Sequence, residues 1–260
     1  MKKIFHLMFG LALVLSLNTP HHLFAQLSLP RTNLLVNADF SKGLPKGLRT
    51  QVYTSHGLTY QKFAGKTWAR VELRQEDNRK GIVRAEFVRD SETHREGRIG
   101  YKMLIKRKEF PRSKASTIIA QFHNHEDKHL GEKALVPPIA LFVQDDHFKV
   151  MVNYDNEKVT TNKTADGRKV FDLGPAQFDT PIDVVWFVKH SYQEDGVLIL
   201  ALNGETVLKY KGPNSYNDAE EIPYFKFGVY DREVNQFRVI YITDFCVGGP
   251  LSTYEDVRPK

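Results

Sequence analysis

The sequence predicts an all-β sandwich of jelly-roll type in a single domain, and three observations carry that expectation. Short β-prone runs recur along the chain with turn residues between them, and helix is limited to short turns. Asn203-Gly204 separates the runs Val197-Leu198-Ile199-Leu200-Ala201-Leu202 and Glu205-Thr206-Val207-Leu208-Lys209-Tyr210, and Asn-Gly in that setting is the strongest short hairpin signal. Size is the third: once an N-terminal leader is set aside, residues 26–260 suit one large core better than two small ones.

The leader consists of Lys2 and Lys3, an apolar run from Leu7 to Leu17, and Leu23-Phe24-Ala25. This is the pattern of a secretory signal peptide, with cleavage expected near Ala25. Its apolar run is shorter than the roughly 20 residues a bilayer-spanning helix needs. Residues 1–25 are therefore expected to be removed and 26–260 to form a secreted or periplasmic monomer with no membrane partner. After a mixed segment broken by Pro30 and Pro45, with an edge strand near Leu34 to Val36, strands are expected in order. They are Val52 to Thr54, Trp68 to Arg74, Gly81 to Val88, Ile99 to Ile105, Ser116 to Phe122, Ile139 to Phe142 and Phe148 to Asn153. Val184 to His190, Gly196 to Leu202, Glu205 to Tyr210, Phe225 to Val229 and Phe237 to Phe245 follow. The polar stretch from Asn124 to Pro138, closed by Pro137-Pro138, reads equally as a lid and as a solvated loop.

The single cysteine, Cys246, between Phe245 and Val247, rules out an internal disulfide and reads as a small buried hydrophobe. The formal charge of +6 falls to +4 when Lys2 and Lys3 leave, and a basic exported protein favours an anionic partner. Nucleic acid is not expected: basic residues alternate with acids, as in Arg84-Ala85-Glu86 and Arg95-Glu96, and no binding motif is present. His125, Asp127 and His129 lie in a loop without the helical His-Glu-x-x-His register, so no metal or other cofactor is expected. A structural calcium ion stays open, because oxygen ligands leave no clear trace. Asn162-Lys163-Thr164 matches a glycosylation acceptor and reads as a chance occurrence.

Two stretches can carry chemistry. In Tyr224-Phe225-Lys226-Phe227-Gly228-Val229-Tyr230, strand alternation puts Tyr224, Lys226, Gly228 and Tyr230 on one face and Phe225, Phe227 and Val229 on the other. The glycine would leave room for a ligand against the backbone. In Ile118-Ile119-Ala120-Gln121-Phe122-His123 the same alternation pairs Gln121 with His123 and groups Ile118 with Ala120 and Phe122.

The pairing of Q-x-H with a later Y-F-K-x-G-x-Y resembles the jelly-roll polysaccharide lyases, the glucuronan, alginate and heparin lyase types, over about Arg70 to Tyr230. That resemblance implies a concanavalin A-like β-jelly-roll sandwich. It also implies β-elimination on a uronic-acid polymer, in which a base takes the C5 proton, an acid protonates the departing C4 oxygen, and cationic or hydrogen-bonding groups neutralise the carboxylate. By the same resemblance His123 and Tyr230 are the catalytic candidates. Arg84, Gln121, Lys226, Arg70, Arg74 and Tyr224 are the substrate-binding ones. Two stretches compete to supply the carboxylate-binding arginine: Arg70-Val71-Glu72-Leu73-Arg74 matches the alginate lyase string, and Arg84-Ala85-Glu86 the glucuronan lyase one. Arg84 is preferred, oriented by Glu86.

Each candidate also has a plainer reading. His123 could be a satisfied structural histidine, Tyr230 an edge aromatic, Lys226 a solvated strand lysine, and either arginine half of a cross-strand ion pair. A non-catalytic carbohydrate-binding module of the same fold is the main alternative, and it would not need these side chains together. A sandwich glycoside hydrolase would need two facing carboxylates, and the E-x-D-x-x-E strand motif is missing, with Glu220-Glu221 placed in a turn before Pro223. Glucuronan, ulvan, alginate and heparin-like chains are all compatible, with glucuronic-acid polymers ranked first.

Overall fold

The computed structural model describes residues 33–260 apart from 90–93, 134, 162–166 and 218–221. The expected leader, the Asn162-Lys163-Thr164 acceptor and Glu220-Glu221 lie outside the described residues. Two antiparallel sheets make up the fold. One contains β1 (Leu34–Ala38), β3 (Leu58–Phe63), β4 (Lys66–Arg74), β6 (Glu96–Leu104), β11 (Ile182–Lys189), β12 (Val197–Leu202), β13 (Glu205–Lys211) and β15 (Phe237–Gly248). Its order is β13-β12-β11-β6-β15-β4-β3, with β1 also paired to β15. The other contains β2 (Arg49–Gln51), β5 (Arg84–Arg89), β7 (Thr117–His123), β8 (Ile139–Gln144), β9 (His147–Tyr154), β10 (Gly167–Pro175) and β14 (Tyr224–Tyr230), in the order β10-β9-β8-β7-β14-β5-β2. Among the described residues helix is confined to α1 (Gln75–Arg79), α2 (Tyr254–Val257) and two 3-10 turns. This is the all-β jelly-roll sandwich the sequence predicts.

Alternation explains the core. Phe225, Phe227 and Val229 of β14 are fully buried, and Phe227 stacks on Phe245 of β15 with ring centroids 4.5 Å apart. Ala69, Val71 and Leu73 of β4 face the same core. Each large buried side chain contributes about 1.5–3 kcal/mol, so β14 is anchored by one face while the other is left for function. The Asn203-Gly204 turn forms as expected, with φ of 51° and 86°, the two positive values a type I′ hairpin requires.

Sequence patterning fails at the margins. β3 and β10 are not anticipated: both are sheet edges with no fully buried residue, so burial imposes little apolar alternation on them. The strand expected at Val52 to Thr54 lies earlier, at β2, because the chain turns at Thr54, where the Gly57 amide donates to the Thr54 carbonyl at 3.2 Å. Cys246 is buried as expected, its thiol 3.5 Å from Asn37 Oδ1.

Candidate active site

Four of the expected side chains, Arg84, Gln121, His123 and Tyr230, line one cavity of about 760 Å³ over the seven-stranded sheet. Strand register explains the grouping. Tyr230 is opposite Arg84 on β5, while Lys226 and Tyr224 are opposite Gln121 and His123 on β7. His123 and Tyr230 thus sit at the two ends of the site, with Gln121 between them.

Two local irregularities depart from simple alternation. The β7–β8 register shifts between Ile118 and Ala120, so Ile118 faces the cavity and Ile119 takes the core position expected of Ile118. Gly228, with φ of 144°, does not make room for a ligand. A Cβ there would lie 2.4 Å from the Ala85 carbonyl oxygen and 2.7 Å from Glu86 Cα, so the glycine admits the backbone of β5.

Buried groups hold the site residues. Gln121 donates through Nε2 to Glu86 Oε1, and the other Glu86 oxygen lies 3.7 Å from Arg84 Nη1. Glu86 is therefore shared between Arg84 and Gln121 rather than serving Arg84 alone. Burial pushes the Glu86 carboxyl above its ordinary range, against the pull of Lys226, Arg84 and the Gln121 hydrogen bond. His123 Nδ1 lies 2.9 Å from the Asn124 carbonyl. A carbonyl only accepts, so Nδ1 carries the proton and Nε2 keeps its lone pair. Burial drives the His123 pKa down to about 4, assisted by the positive charges of Lys226 and Arg84 and opposed by the Asn124 hydrogen bond and Glu126.

Tyr230 sits between two guanidinium groups. Arg84 Cζ is 4.9 Å from its ring centroid, and Arg232 Nε donates to its oxygen at 2.5 Å. Arginine cannot accept, so the Tyr230 oxygen accepts here and its own proton is left for another acceptor. Buried Asp231 fixes the turn that follows. It accepts from Thr117 Oγ1 at 2.6 Å and from the Glu233 amide at 2.7 Å, and pairs with buried Arg238 at 3.4 Å. Sequence reasoning passes over Arg232; its signal is a cation two residues after Tyr230, where a turn folds the side chain back.

The other expected site residues lie elsewhere. Lys226 is only 2 % exposed: neither a ligand-facing nor a solvated lysine, it is a buried cation whose field reaches Glu86 and His123. Tyr224 packs against His123 and His125, with centroids 5.5 Å and 4.6 Å away, outside the cavity lining. Arg70 and Arg74 belong to β4 in the opposite sheet. There Arg70 pairs with Glu72 and with Glu109 at 3.2 Å, and Arg74 with Glu72 at 2.7 Å. Ala69, Val71 and Leu73 take the core face of β4, so the R-x-E-x-R string points away from the cavity as an ion-pair network. The loop after β7 supplies a wall through Leu135, Val136 and Pro137. It is tied down by Tyr216 Oη on the Val136 carbonyl at 3.0 Å and by buried Glu132, which accepts the amides of Asp127 at 2.8 Å and Thr160 at 2.7 Å.

Comparisons with known proteins bear on the fold and the family. A search of curated protein sequences found no match. Among solved structures, an endo-β-1,4-glucuronan lyase from the fungus Trichoderma reesei is similar, with a TM-score of 0.70 and 16% identity, covering 87% of this chain and 99% of that one. The alginate lyase AlyC3 is similar with a TM-score of 0.50 and 15% identity, covering 68% of this chain and 73% of its own. The receptor-binding domain of botulinum neurotoxin type G shares the fold with a TM-score of 0.54 and 9% identity, over 87% of this chain and 50% of that one. These identities speak for the fold alone. Membership rests on the sequence model of the family described as polysaccharide lyase, which matches residues 53–245, most of the chain. The chain belongs to the polysaccharide lyase family.

Proposed function

We propose that this polysaccharide lyase is exported and cuts a uronic-acid-containing polysaccharide by β-elimination, leaving unsaturated uronate ends. The observation that carries the proposal is the convergence of Arg84, Gln121, His123 and Tyr230 on one cavity. Arg84 and Gln121 neutralise the substrate carboxylate, which makes the C5 proton removable. Neutral His123 takes that proton through Nε2, and Tyr230 gives its proton to the departing C4 oxygen. Glu86, Lys226 and Arg232 act from behind by holding these groups. Likeness to a glucuronan lyase supports glucuronate polymers as the first substrates to try.

One observation favours a second reading of the proton transfer. His123 is at the opposite end of the site from Arg84 and Tyr230. In a β-1,4-linked glucuronate the C5 hydrogen and the C4 oxygen are on the same side of the ring. In that reading one residue, Tyr230, serves as both base and acid, taking the C5 proton as the phenolate and returning it to the leaving oxygen, with Arg84 and Gln121 still on the carboxylate.

Tyr230→Phe tests the proposal. It keeps the ring and removes the hydroxyl, so polymer binding should survive. The formation of unsaturated product, followed by its ultraviolet absorbance, should fall by roughly 100- to 10,000-fold. Turnover near wild type would remove the tyrosine from the mechanism. Export is tested by sequencing the N-terminus of secreted protein: a start near Gln26 supports cleavage of the leader, and a start at Met1 refutes it.

A further inference from the structure

We propose that Thr117, Asp231 and Arg238 are positioning residues of the reaction: they form a buried polar relay between the two sheets that locks the turn after β14 and so keeps Arg232 on the Tyr230 oxygen. This rests on the reading of Tyr230 as the group that moves the proton, and deepens it by naming what orients that group.

The hydrogen bonds of the relay fix its direction. Arg238 is 0% exposed, and Thr117 and Asp231 are 1% exposed each. Arg238 belongs to β15 in the eight-stranded sheet, Thr117 opens β7 in the other sheet, and Asp231 directly follows β14. Arg238 Nε donates to Thr117 Oγ1 at 3.0 Å, and an arginine cannot accept in return. The threonine hydroxyl therefore sends its own proton to Asp231 Oδ2, at 2.6 Å, and the guanidinium faces the same carboxylate at 3.4 Å. Each end is tied in turn. Arg238 Nη1 donates to the Phe237 carbonyl at 2.9 Å, and Asp231 Oδ1 accepts the Glu233 amide at 2.7 Å, which closes the turn.

The segment before β5 holds the same turn from its other side. The Asp231 amide donates to the Val83 carbonyl at 2.9 Å, Asn78 Nδ2 donates to the Asp231 carbonyl at 3.1 Å, and Asn78 Oδ1 accepts the Val234 amide at 2.7 Å. Asp231 and Val234 are buried, while the two residues between them, Arg232 and Glu233, are exposed and line the cavity. An exposed arginine has much rotamer freedom to lose. It keeps its Nε 2.5 Å from the Tyr230 oxygen only where its backbone is held still. Charged and polar groups buried between two sheets stabilise no better than apolar ones of the same volume. A donor fixed on the phenol oxygen, by contrast, leaves the phenol proton for the departing oxygen and holds the ring in place for the transfer.

Thr117→Val keeps the shape and removes the relay hydroxyl, whereas Thr117→Ser keeps the hydroxyl and removes a methyl group. kcat and KM are measured from unsaturated product on whichever of the four uronate polymers the wild type cuts fastest, in variants that circular dichroism shows to be folded, alone and combined with Arg232→Ala. In Thr117→Val kcat should fall by roughly 10- to 100-fold, the scale of a small misplacement of a catalytic group, with KM within about twofold. Thr117→Ser should stay within about threefold of wild type, since its hydroxyl can still relay. In the Arg232→Ala background, Thr117→Val should cost less than about twofold more, because both changes act through one contact. Should Thr117→Val not fold, Asp231→Asn keeps the shape, drops the charge facing Arg238, and carries the same comparison. A folded variant with wild-type kcat, an equal loss in Thr117→Ser, or losses that multiply in the double variant would overturn the inference and leave the lyase reading standing. Near wild-type turnover in Tyr230→Phe would overturn the role of the tyrosine and the relay with it, and no product from the wild type on any of the four polymers would overturn the lyase reading itself.

Discussion

Replacing Lys226 with Met keeps much of the side-chain length and removes a charge buried beside Glu86. Lys226 is 2% and Glu86 1% exposed, so neither charge is screened by water. Breaking a buried pair from one side costs about 3–5 kcal/mol, because Glu86 is left with only the Gln121 amide and Arg84 at 3.7 Å. A domain with a stability of roughly 5–15 kcal/mol can absorb that loss and stay folded in the variant. The cost also depends on pH. The Glu86 carboxyl is already raised by burial and loses the downward pull of Lys226 in the variant, so its folded-state pKa rises further. Below about 4.3, the unperturbed glutamate value, Glu86 is protonated folded and unfolded alike, and the penalty is smallest. As pH rises toward the folded value the native state holds a proton that the unfolded chain has lost, and stability declines by up to about 1.4 kcal/mol per pH unit. Urea unfolding near pH 5 and near pH 8, followed by the fluorescence of buried Trp68 and Trp186, should show the larger loss at the higher pH. A loss under about 1 kcal/mol, or one equal at both pH values, would refute the coupling of Lys226 to Glu86.

Three further expectations follow from the geometry. If His123 is the base, the acid limb of kcat/KM should lie near 4, its depressed value, because the imidazole stays neutral and competent down to that pH; a limb near the ordinary 6.5 would speak against it. Gly228→Ala should destabilise by several kcal/mol, combining about 1–3 from overpacking against Ala85 and about 1–3 from the positive φ; unfolding near wild type would contradict the close approach of β5. Arg74→Ala should leave kcat/KM on any uronate polymer within about twofold and change stability by no more than about 1 kcal/mol, as for a half-exposed ion pair; a large loss of turnover would return the β4 arginines to the site.

The sequence exposes strands wherever burial forces a pattern. Phe225, Phe227 and Val229 alternate because they fill the space between two sheets, and Asn203-Gly204 marks its hairpin because few residues accept two positive φ values. β3 and β10 escape notice because an edge strand has one open side and little to bury. The same distinction separates the site residues. Gln121, His123 and Tyr230 can be read from local parity, but Ile118 cannot, since a register shift in β7 is set by its neighbours. Lys226 has the right parity, yet parity cannot say whether a lysine on that face meets solvent or lies under other side chains. For the arginines, the string Arg70-Val71-Glu72-Leu73-Arg74 matches a motif whose meaning depends on which sheet carries it, and only pairing with β15 and β3 puts it in the opposite sheet.

A sandwich of this shape also serves the receptor-binding domain of botulinum neurotoxin type G, so the fold does not by itself make an enzyme. The cost beneath the cavity points to chemistry. Burying Glu86 and Lys226 together is no cheaper than an apolar pair of the same size and is often less stable, and a surface that only holds sugars gains nothing from it. A reacting centre does gain. Glu86 takes one N–H of Gln121 and leaves the other N–H and the amide oxygen for the cavity, while lying close enough to Arg84 to hold it. The field of Lys226 helps keep His123 neutral without Lys226 itself entering the cavity. Arg232 donates to the Tyr230 oxygen and so leaves the phenol's own proton for another acceptor. Each buried or folded-back charge thus fixes the protonation or direction of a group that faces the cavity, and a proton transfer needs both.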